Sequence, residues 1–581
     1  MLMPFVMPIL TAAARFTKSN FVKKTRQTAL VQEKFLRDLL QVHQNTELGQ
    51  KYKLSEIKTI DQFRQQVPIL PYSSYEPLIE RICQGEQNIL TAEPVVYLTL
   101  TSGSTGKKKL IPTTRRSQNV VRQATLTSIG FLSEALHSRG LHFGKLLVTN
   151  STQQWGRTNG GIPYGPASAG VLQMDKFLYK QFFAHPYETL QVADSSSRHY
   201  VCLLFALREP LTRGILANFP MLILRTCNYL EKYAEDLIRD LEKGTIADWL
   251  ELEPEIRLKL EQQWSANPVR AAQLREILDL KGRLTPKLVW SDLSFVANAR
   301  GGTSDFYFER FPAYFGNTGI FGAVFSSAEG MFSIYHDLDH DGSILAIDSG
   351  FFEFIPEDQW QLEQPKTLLA NEVKVGERYR ILTTSYGGFY RYDIGDVIEV
   401  LGFYEQAPII VFRHRCGGLI SSTTEKTTES HATQVMQALQ QEFRLSLEDF
   451  CITLSEDDFP ARYLANIELT SGTTLSDPQA FLTSFDRRLQ EVNTHYEISR
   501  RDTIPPPRLR ILTKGSFAIL RQRQLQKGIP DSQLKFPHIS EDRSFLTGLT
   551  VEHEIRLAGD LASSNEGSGI RDQGLGKLNE I

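Results

Sequence analysis

Val31, Phe35, Leu39 and Val42 recur at steps of four and three, the spacing that puts side chains on one face of a helix. A long mixed region follows. Apolar runs at Val95–Leu100, Leu146–Thr149 and Leu222–Leu224 read as strands, and helical stretches separate them. That alternation predicts an α/β architecture with sheets covered by helices. From about Gly350 to Phe412 the texture becomes β-rich, with runs at Phe351–Ile355, Tyr379–Thr384, Val397–Leu401 and Ile409–Phe412. Gly417 and Gly418 then interrupt the chain, and a smaller α+β pattern begins. Its first helix carries Val435, Met436, Leu439 and Phe443 on one face. Its second opens at Ser476-Asp477-Pro478, a capping residue followed by proline in the first turn. The pattern therefore predicts a large N-terminal domain over 1–415 with a β-rich subdomain, a hinge at 416–419 and a C-terminal α+β domain over 420–560. A tail over 561–581, rich in Gly, Ser and charge, is read as disordered.

Length and charge narrow the classes. At 581 residues the chain exceeds what one hydrophobic core supports. A net charge of -3 predicts no large electrostatic affinity for nucleic acid or an anionic membrane, and leaves a local basic patch open. The five cysteines are odd in number, scattered and without CxxC spacing, which argues against a disulfide framework or structural zinc and for a reducing compartment. Met1–Ala14 is mildly apolar but has no basic leader and no membrane-length span, so a cytoplasmic enzyme is expected.

The most specific local chemistry is Thr101-Ser102-Gly103-Ser104-Thr105-Gly106-Lys107-Lys108-Lys109, directly after the run Val95–Leu100. Small residues let the backbone approach phosphate oxygens, hydroxyls and amides donate to them, and the lysines supply positive charge. It is not a Walker A loop. Two residues rather than four separate Gly103 from Gly106, and Lys108 stands where Ser or Thr would meet magnesium. A polar turn is the plain alternative.

The segment resembles the phosphate-binding signature of adenylate-forming enzymes. With the adjoining Leu110-Ile111-Pro112-Thr113 it is similar to that of the auxin-responsive family of acyl-acid amido synthetases, with Lys108 where many members carry proline. Phe325-Ser326-Ser327-Ala328-Glu329 resembles the family's second motif, with Phe325 in place of tyrosine and Ala328 in place of serine. The stretch Thr384-Ser385-Tyr386-Gly387-Gly388-Phe389-Tyr390-Arg391-Tyr392-Asp393-Ile394-Gly395-Asp396-Val397, followed by Arg413-His414-Arg415, resembles its third.

The resemblance covers nearly the whole chain. It implies that Ser102, Gly103, Ser104, Thr105, Gly106 and Lys109 hold the phosphates of ATP, and that Phe325, Ser326 and Ser327 border the nucleotide and the acyl carboxylate. Glu329 would ligate Mg²⁺, a hard cation suited to a carboxylate, while Asp396 and Arg415 would hold the ribose. Lys426 and Lys535 match lysines that act in catalysis, where cations offset charge developing during adenylation. The partners that the resemblance implies are a carboxylic acid and an amine, an amino acid in the family's own chemistry. Two rivals stay open on these residues: an acyl-coenzyme A ligase with the same first step, and a noncatalytic nucleotide-binding homologue. Oligomeric state has no signature here.

Two features point elsewhere. Asp337-Leu338-Asp339-His340-Asp341-Gly342 is spaced like a calcium loop, but its flanks read as strands and position twelve is Asp348 rather than glutamate, so it reads as an acidic turn. His336 and His340 read as solvent-facing. The acyl pocket is expected around Trp155–Gly170 and Phe315.

Overall fold

The computed structural model describes residues 3–102, 108–153, 155–165, 176–302, 304–360, 362, 364–415, 419–423, 425–456, 458, 460–502, 504–526, 534 and 536–557. The chain divides into two compact units, Met1–Gly417 with Leu525–Lys535, and Gly418–Gln524 with Phe536–Ile581. The expected tail over 561–581 lies outside the described residues.

The first unit is mixed α/β. Its parallel sheet has the order Lys145–Val148, Thr212–Leu216, Phe295–Ala297 and Gly319–Phe321. The helix Ser195–Arg208 beside it is buried from Ser197 through Leu207, which suits a helix enclosed on all sides. Leu222–Leu224, read from sequence as a strand, lies instead in the helix Pro220–Lys232. Pro220 starts that helix, and its residues through Cys227 are all buried. An enclosed helix shows the same short apolar run as a buried strand, which is why the pattern misled.

The β-rich runs between 350 and 412 are strands as expected. They belong to a seven-stranded antiparallel sheet in the order Phe351–Pro356, Arg378–Ser385, Phe389–Tyr404, Ala407–Arg415, Ser343–Leu345, Met331–Ile334 and Val324–Ser326. The helix Thr28–His43, predicted from Val31, Phe35, Leu39 and Val42, packs onto this sheet as well as onto its own neighbours in the chain. Gln32 shows why. It is buried, its amide donates to the Gly350 carbonyl at 2.7 Å, and its side-chain oxygen accepts from the Phe352 amide at 2.9 Å. A buried carboxamide has to find such partners.

The N-terminal helix Met3–Thr25 lies against Arg115–Ser138. A side chain at Gly130 would collide with the Ala14 carbonyl at 2.5 Å, so the glycine sets how closely the two helices approach. Among the described residues no helix is long and apolar enough to cross a membrane. Cys83, Cys202, Cys227 and Cys451 carry free thiols.

Each aspartate of the calcium-like loop has a partner of its own: Asp337 pairs with Arg139, Asp341 with Arg300 and Asp348 with Lys24, while Asp339 accepts from the Ile320 amide. His336 departs from its solvent-facing reading. It is half-buried among Phe131, Tyr404 and His340, and burial holds its imidazole down to about 4.

The second unit is an α+β sandwich layer with the sheet order Leu447–Leu454, Tyr463–Leu469, Arg508–Leu512 and Val551–Arg556. Val435, Met436 and Leu439 bury the inner face of helix Glu429–Phe443. Asp477 caps helix Pro478–Val492 by accepting from the Ala480 amide, as the Ser-Asp-Pro signal predicts.

Candidate active site

The strands Val95–Ser102 and Lys108–Thr114 form an antiparallel hairpin in which Ser102 pairs with Lys108. Gly103, Ser104, Thr105 and Gly106 lie outside the described residues. Lys109, on the outgoing strand, holds its ammonium 5.0 Å from the centre of the Tyr72 ring. Burial pushes that ammonium below its ordinary value, with Glu329 opposing the shift and Arg415 adding to it. These three charges are thus within electrostatic reach of one another. Tyr72 is fixed in turn, donating to the Leu110 carbonyl and accepting from its amide, and burial pushes its phenol up to about 12.

Glu329 sits on a tight turn in which the Ser327 amide donates to the Gly330 carbonyl at 2.9 Å. The Ser327 hydroxyl accepts from the Glu329 amide, and Ser385 donates to the Glu329 carbonyl at 3.0 Å. The Tyr392 hydroxyl donates to Glu329 Oε1 at 3.0 Å, and burial beside that carboxylate drives the phenol well above its usual range. Phe325 stacks on Phe332 at 5.0 Å and leans on Phe412 at 5.5 Å, while Ser326 is exposed. Phe325 therefore braces the turn from behind.

Two bulges in the strand Phe389–Tyr404 aim its polar residues. Residues 394–396 together face Ile381 alone, between the pairs Arg380–Val397 and Leu382–Asp393. Gly395 takes φ 79 there, a backbone region that strains side-chain-bearing residues, and its amide donates to the Asp393 carboxylate. Asp396, next in the chain, is opposite Arg415 on the adjacent strand and accepts from its Nε at 2.6 Å. The second bulge places Arg391 at φ 43, with its amide donating to Thr384 Oγ1. The Arg391 side chain turns inward to Glu353 at 2.9 Å and donates to the Arg64 and Val67 carbonyls.

The structure thus gathers Lys109, Glu329, Asp396 and Arg415 in one unit, on elements from three separate stretches of sequence. Sequence reasoning missed Tyr72 and left Tyr392 without a role. Tyr392 was within reach, since it lies inside the third motif. Tyr72 follows Pro71 in a short 3₁₀ turn with no pattern to mark it. Lys426 is an exposed side chain of the second unit, and Lys535 lies outside the described residues. Of the segments expected to form the acyl pocket, residues 166–170 lie outside the described residues. Phe315 is a core side chain packed on Phe311.

A parallel sheet beside an antiparallel β-rich sheet, followed by a small α+β unit, is the architecture of adenylate-forming ligases. A 2-hydroxyisobutyryl-CoA ligase in the postadenylation state aligns with it at a TM-score of 0.50 and 11% identity, over 89% of this chain and 90% of that one. An acyl acid amido synthetase, GH3.15, matches far more closely in shape, with a TM-score of 0.82 at 21% identity over 93% of this chain and 97% of that one.

The GH3 family N-terminal domain matches residues 17–320, its central domain residues 343–415 and its C-terminal domain residues 430–544; the chain belongs to the GH3 family. Among similar proteins, the indole-3-acetic acid-amido synthetase GH3.10 of Arabidopsis thaliana is 25% identical over 89% of this chain and 93% of its own length. The jasmonoyl–L-amino acid synthetase GH3.5 of Oryza sativa subsp. japonica is 25% identical over 90% and 94%. The protein is an ATP-using, acyl-adenylate-forming ligase that joins a carboxylic acid to an amine.

Proposed function

We propose that Asp396 receives the ribose hydroxyls of ATP, that Arg415 flanks the ribose, and that Lys109 with the hydroxyl/glycine run from Ser102 to Gly106 takes the phosphates. The observation that carries this reading is the placement of the Asp396–Arg415 pair within electrostatic reach of Glu329 and Lys109.

A carboxylate is a poor acyl donor because its leaving group would be oxide, and ATP replaces that group with AMP. The protein must bring two anions together, the carboxylate and the α-phosphate. Lys109 and Arg415 offset that repulsion from fixed positions, which avoids reorganisation during the reaction. Phe325, Ser326 and Ser327 border the acyl carboxylate in this reading.

Glu329 fits a Mg²⁺ site. Mg²⁺ takes one or two carboxylates and completes its shell with water and phosphate oxygens, and Glu329 presents one carboxylate on a turn held by Ser327, Ser385 and Tyr392. When bound there, the metal supplies charge neutralisation at the phosphates. Among the described residues no cluster of three or more His, Cys, Asp or Glu forms an all-protein metal cage, which agrees with an ion held partly by substrate.

The segment 416–419 serves in this reading as a hinge, and the domain over 420–560 supplies Lys426 and Lys535 to the reacting phosphate. The acceptor amine is an amino acid. The cytosol, where free thiols persist, suits Cys83, Cys202, Cys227 and Cys451.

The test is pyrophosphate release from ATP and Mg²⁺ across indole-3-acetate, jasmonate, other aromatic acids and fatty acids, first without an acceptor and then with amino acids or coenzyme A. Acid-dependent release that rises with amino acids is expected. Release that rises with coenzyme A alone would sink the amide reading. Silence from a folded, ATP-binding protein over the whole panel would sink the catalytic one.

A further inference from the structure

Lys426 sits in a loop that is braced from within. The loop leaves the short strand Leu419–Ile420 and returns through Thr427–Thr428 to the helix Glu429–Phe443. Glu425 is fully buried, and both of its oxygens are spent on the loop and on Tyr463 of the strand Tyr463–Leu469. Oε1 accepts from the Ser422 amide and from the Tyr463 hydroxyl at 2.8 Å; Oε2 accepts from the Thr423 amide at 3.0 Å and its hydroxyl at 2.9 Å. Among the described residues no cation pairs with Glu425. A buried carboxylate with no countercharge is an expensive way to close a surface loop, and it persists only where its hydrogen bonds satisfy it.

The bracing continues past Lys426. The Tyr463 hydroxyl lies 2.9 Å from Thr427 Oγ1 as well as 2.8 Å from Glu425. A carboxylate only accepts, so the phenol's one proton goes to Glu425 and the Thr427 hydroxyl donates to the phenol. Thr427 Oγ1 then accepts from the Asn493 amide at 3.0 Å, and the same amide nitrogen donates to the Lys426 carbonyl at 3.1 Å. Asn493, Thr427, Tyr463 and Glu425 form one relay, and all four are buried. The relay grips the backbone on both sides of Lys426 and leaves its side chain exposed.

We infer that Glu425, Thr427, Tyr463 and Asn493 are positioning residues that hold the Lys426 backbone so that its ammonium is presented in one orientation for the adenylation step. The inference rests on the reading that Lys426 serves that step. Precise placement of a charge is worth much of its effect, since small misplacements of a group cost up to ~100-fold in rate.

Thr427→Val keeps the side-chain shape and removes the hydroxyl from the relay, whereas Thr427→Ser keeps the hydroxyl. Acid-dependent pyrophosphate release is expected to fall about tenfold in Thr427→Val with the KM for ATP changed less than about twofold, and to recover in Thr427→Ser. Lys426→Ala should lower the same rate about a hundredfold, and Thr427→Val should cost nothing further in that background. Full additivity of the two losses overturns the positioning role. An unchanged rate in Lys426→Ala overturns the underlying reading of Lys426, a separate result that takes the inference with it. Amide hydrogen exchange at Ser422 and Thr423 gives a second check that needs no substrate. It should be slow in the unaltered protein and in Thr427→Ser, and faster in Thr427→Val; equal exchange in all three overturns the relay.

Discussion

Two arginine–carboxylate pairs stand on the same sheet, both anchored by the third motif, and they are built to different ends. In the Arg391–Glu353 pair the side chains are 5% and 1% exposed. Arg391 also donates to the Arg64 and Val67 carbonyls, and Glu353 also receives Arg64 and Thr367. Every strong contact is internal, and a ligand has nothing left to meet. In the Arg415–Asp396 pair the aspartate is 2% exposed but the arginine 40%. The burial and hydrogen bonds that make a pair a structural clamp are complete in the first and half-made in the second. One motif thus supplies a rivet that ties the N-terminal segment to the sheet and, five residues later, a carboxylate whose arginine partner stays open to solvent.

Breaking the closed pair should have the largest effect, and on stability. Arg391→Met leaves Glu353 as a buried charge short of its main partner, a loss of about 3–5 kcal/mol. Thermal unfolding would show a large fall in midpoint, and a near-unchanged midpoint would mean that the pair is not the clamp described. Breaking the open pair should act on the reaction instead. Asp396→Ala is expected to cut pyrophosphate release about 10²–10³-fold with little change in unfolding, because Arg415 can turn to solvent.

The closed region extends to His43, whose ring is 6.2 Å from Tyr386 and 6.5 Å from Tyr390. Burial first, then the nearby Arg116, holds its imidazole down to about 4. The folded protein therefore refuses a proton that the unfolded chain accepts near its ordinary value of 6.5. The associated stability, about 3 kcal/mol, is full above pH 6.5 and is lost as pH falls toward about 4. His43→Gln should flatten that part of the acid-unfolding curve, and an unchanged curve would remove His43 from the closed core. The smallest effect belongs to Tyr392→Phe. Losing one hydrogen bond to Glu329 should cost about 1 kcal/mol, read as an approximately fivefold weaker dependence on Mg²⁺ concentration.

What could be read from sequence divides along the same line. The strand at Val95–Leu100, the four strands between 350 and 412 and the first two helices of the second unit follow from local periodicity and capping, which neighbouring residues encode. Glu329, Asp396 and Arg415 were legible because short motifs carry them. The helix at Leu222–Leu224 was misread because burial on every side erases periodicity. Gln32, Glu353 and Tyr72 were invisible as site supports because their partners come from distant parts of the chain: Gln32 reaches Phe352, and Glu353 reaches back to Arg64. Nothing near such a residue announces that it will be buried. The motif also does not say which of its arginines faces inward; two bulges decide that, and bulges leave only Gly395 as a trace.

The Gln32 contact has a further consequence, for synthesis. The helix Thr28–His43 completes the polar contacts of Gln32 on Ile347, Gly350 and Phe352, and Phe352 lies 320 positions further along the chain. At ~5–20 residues per second a ribosome takes roughly 16–64 seconds to cover that interval. During it the apolar face of the helix, with Phe35, Leu36, Leu39 and Leu40, has no sheet to cover it. Until the strands at 351–415 emerge, the helix therefore lacks the sheet that completes its burial, and a pause before them would lengthen that exposure directly.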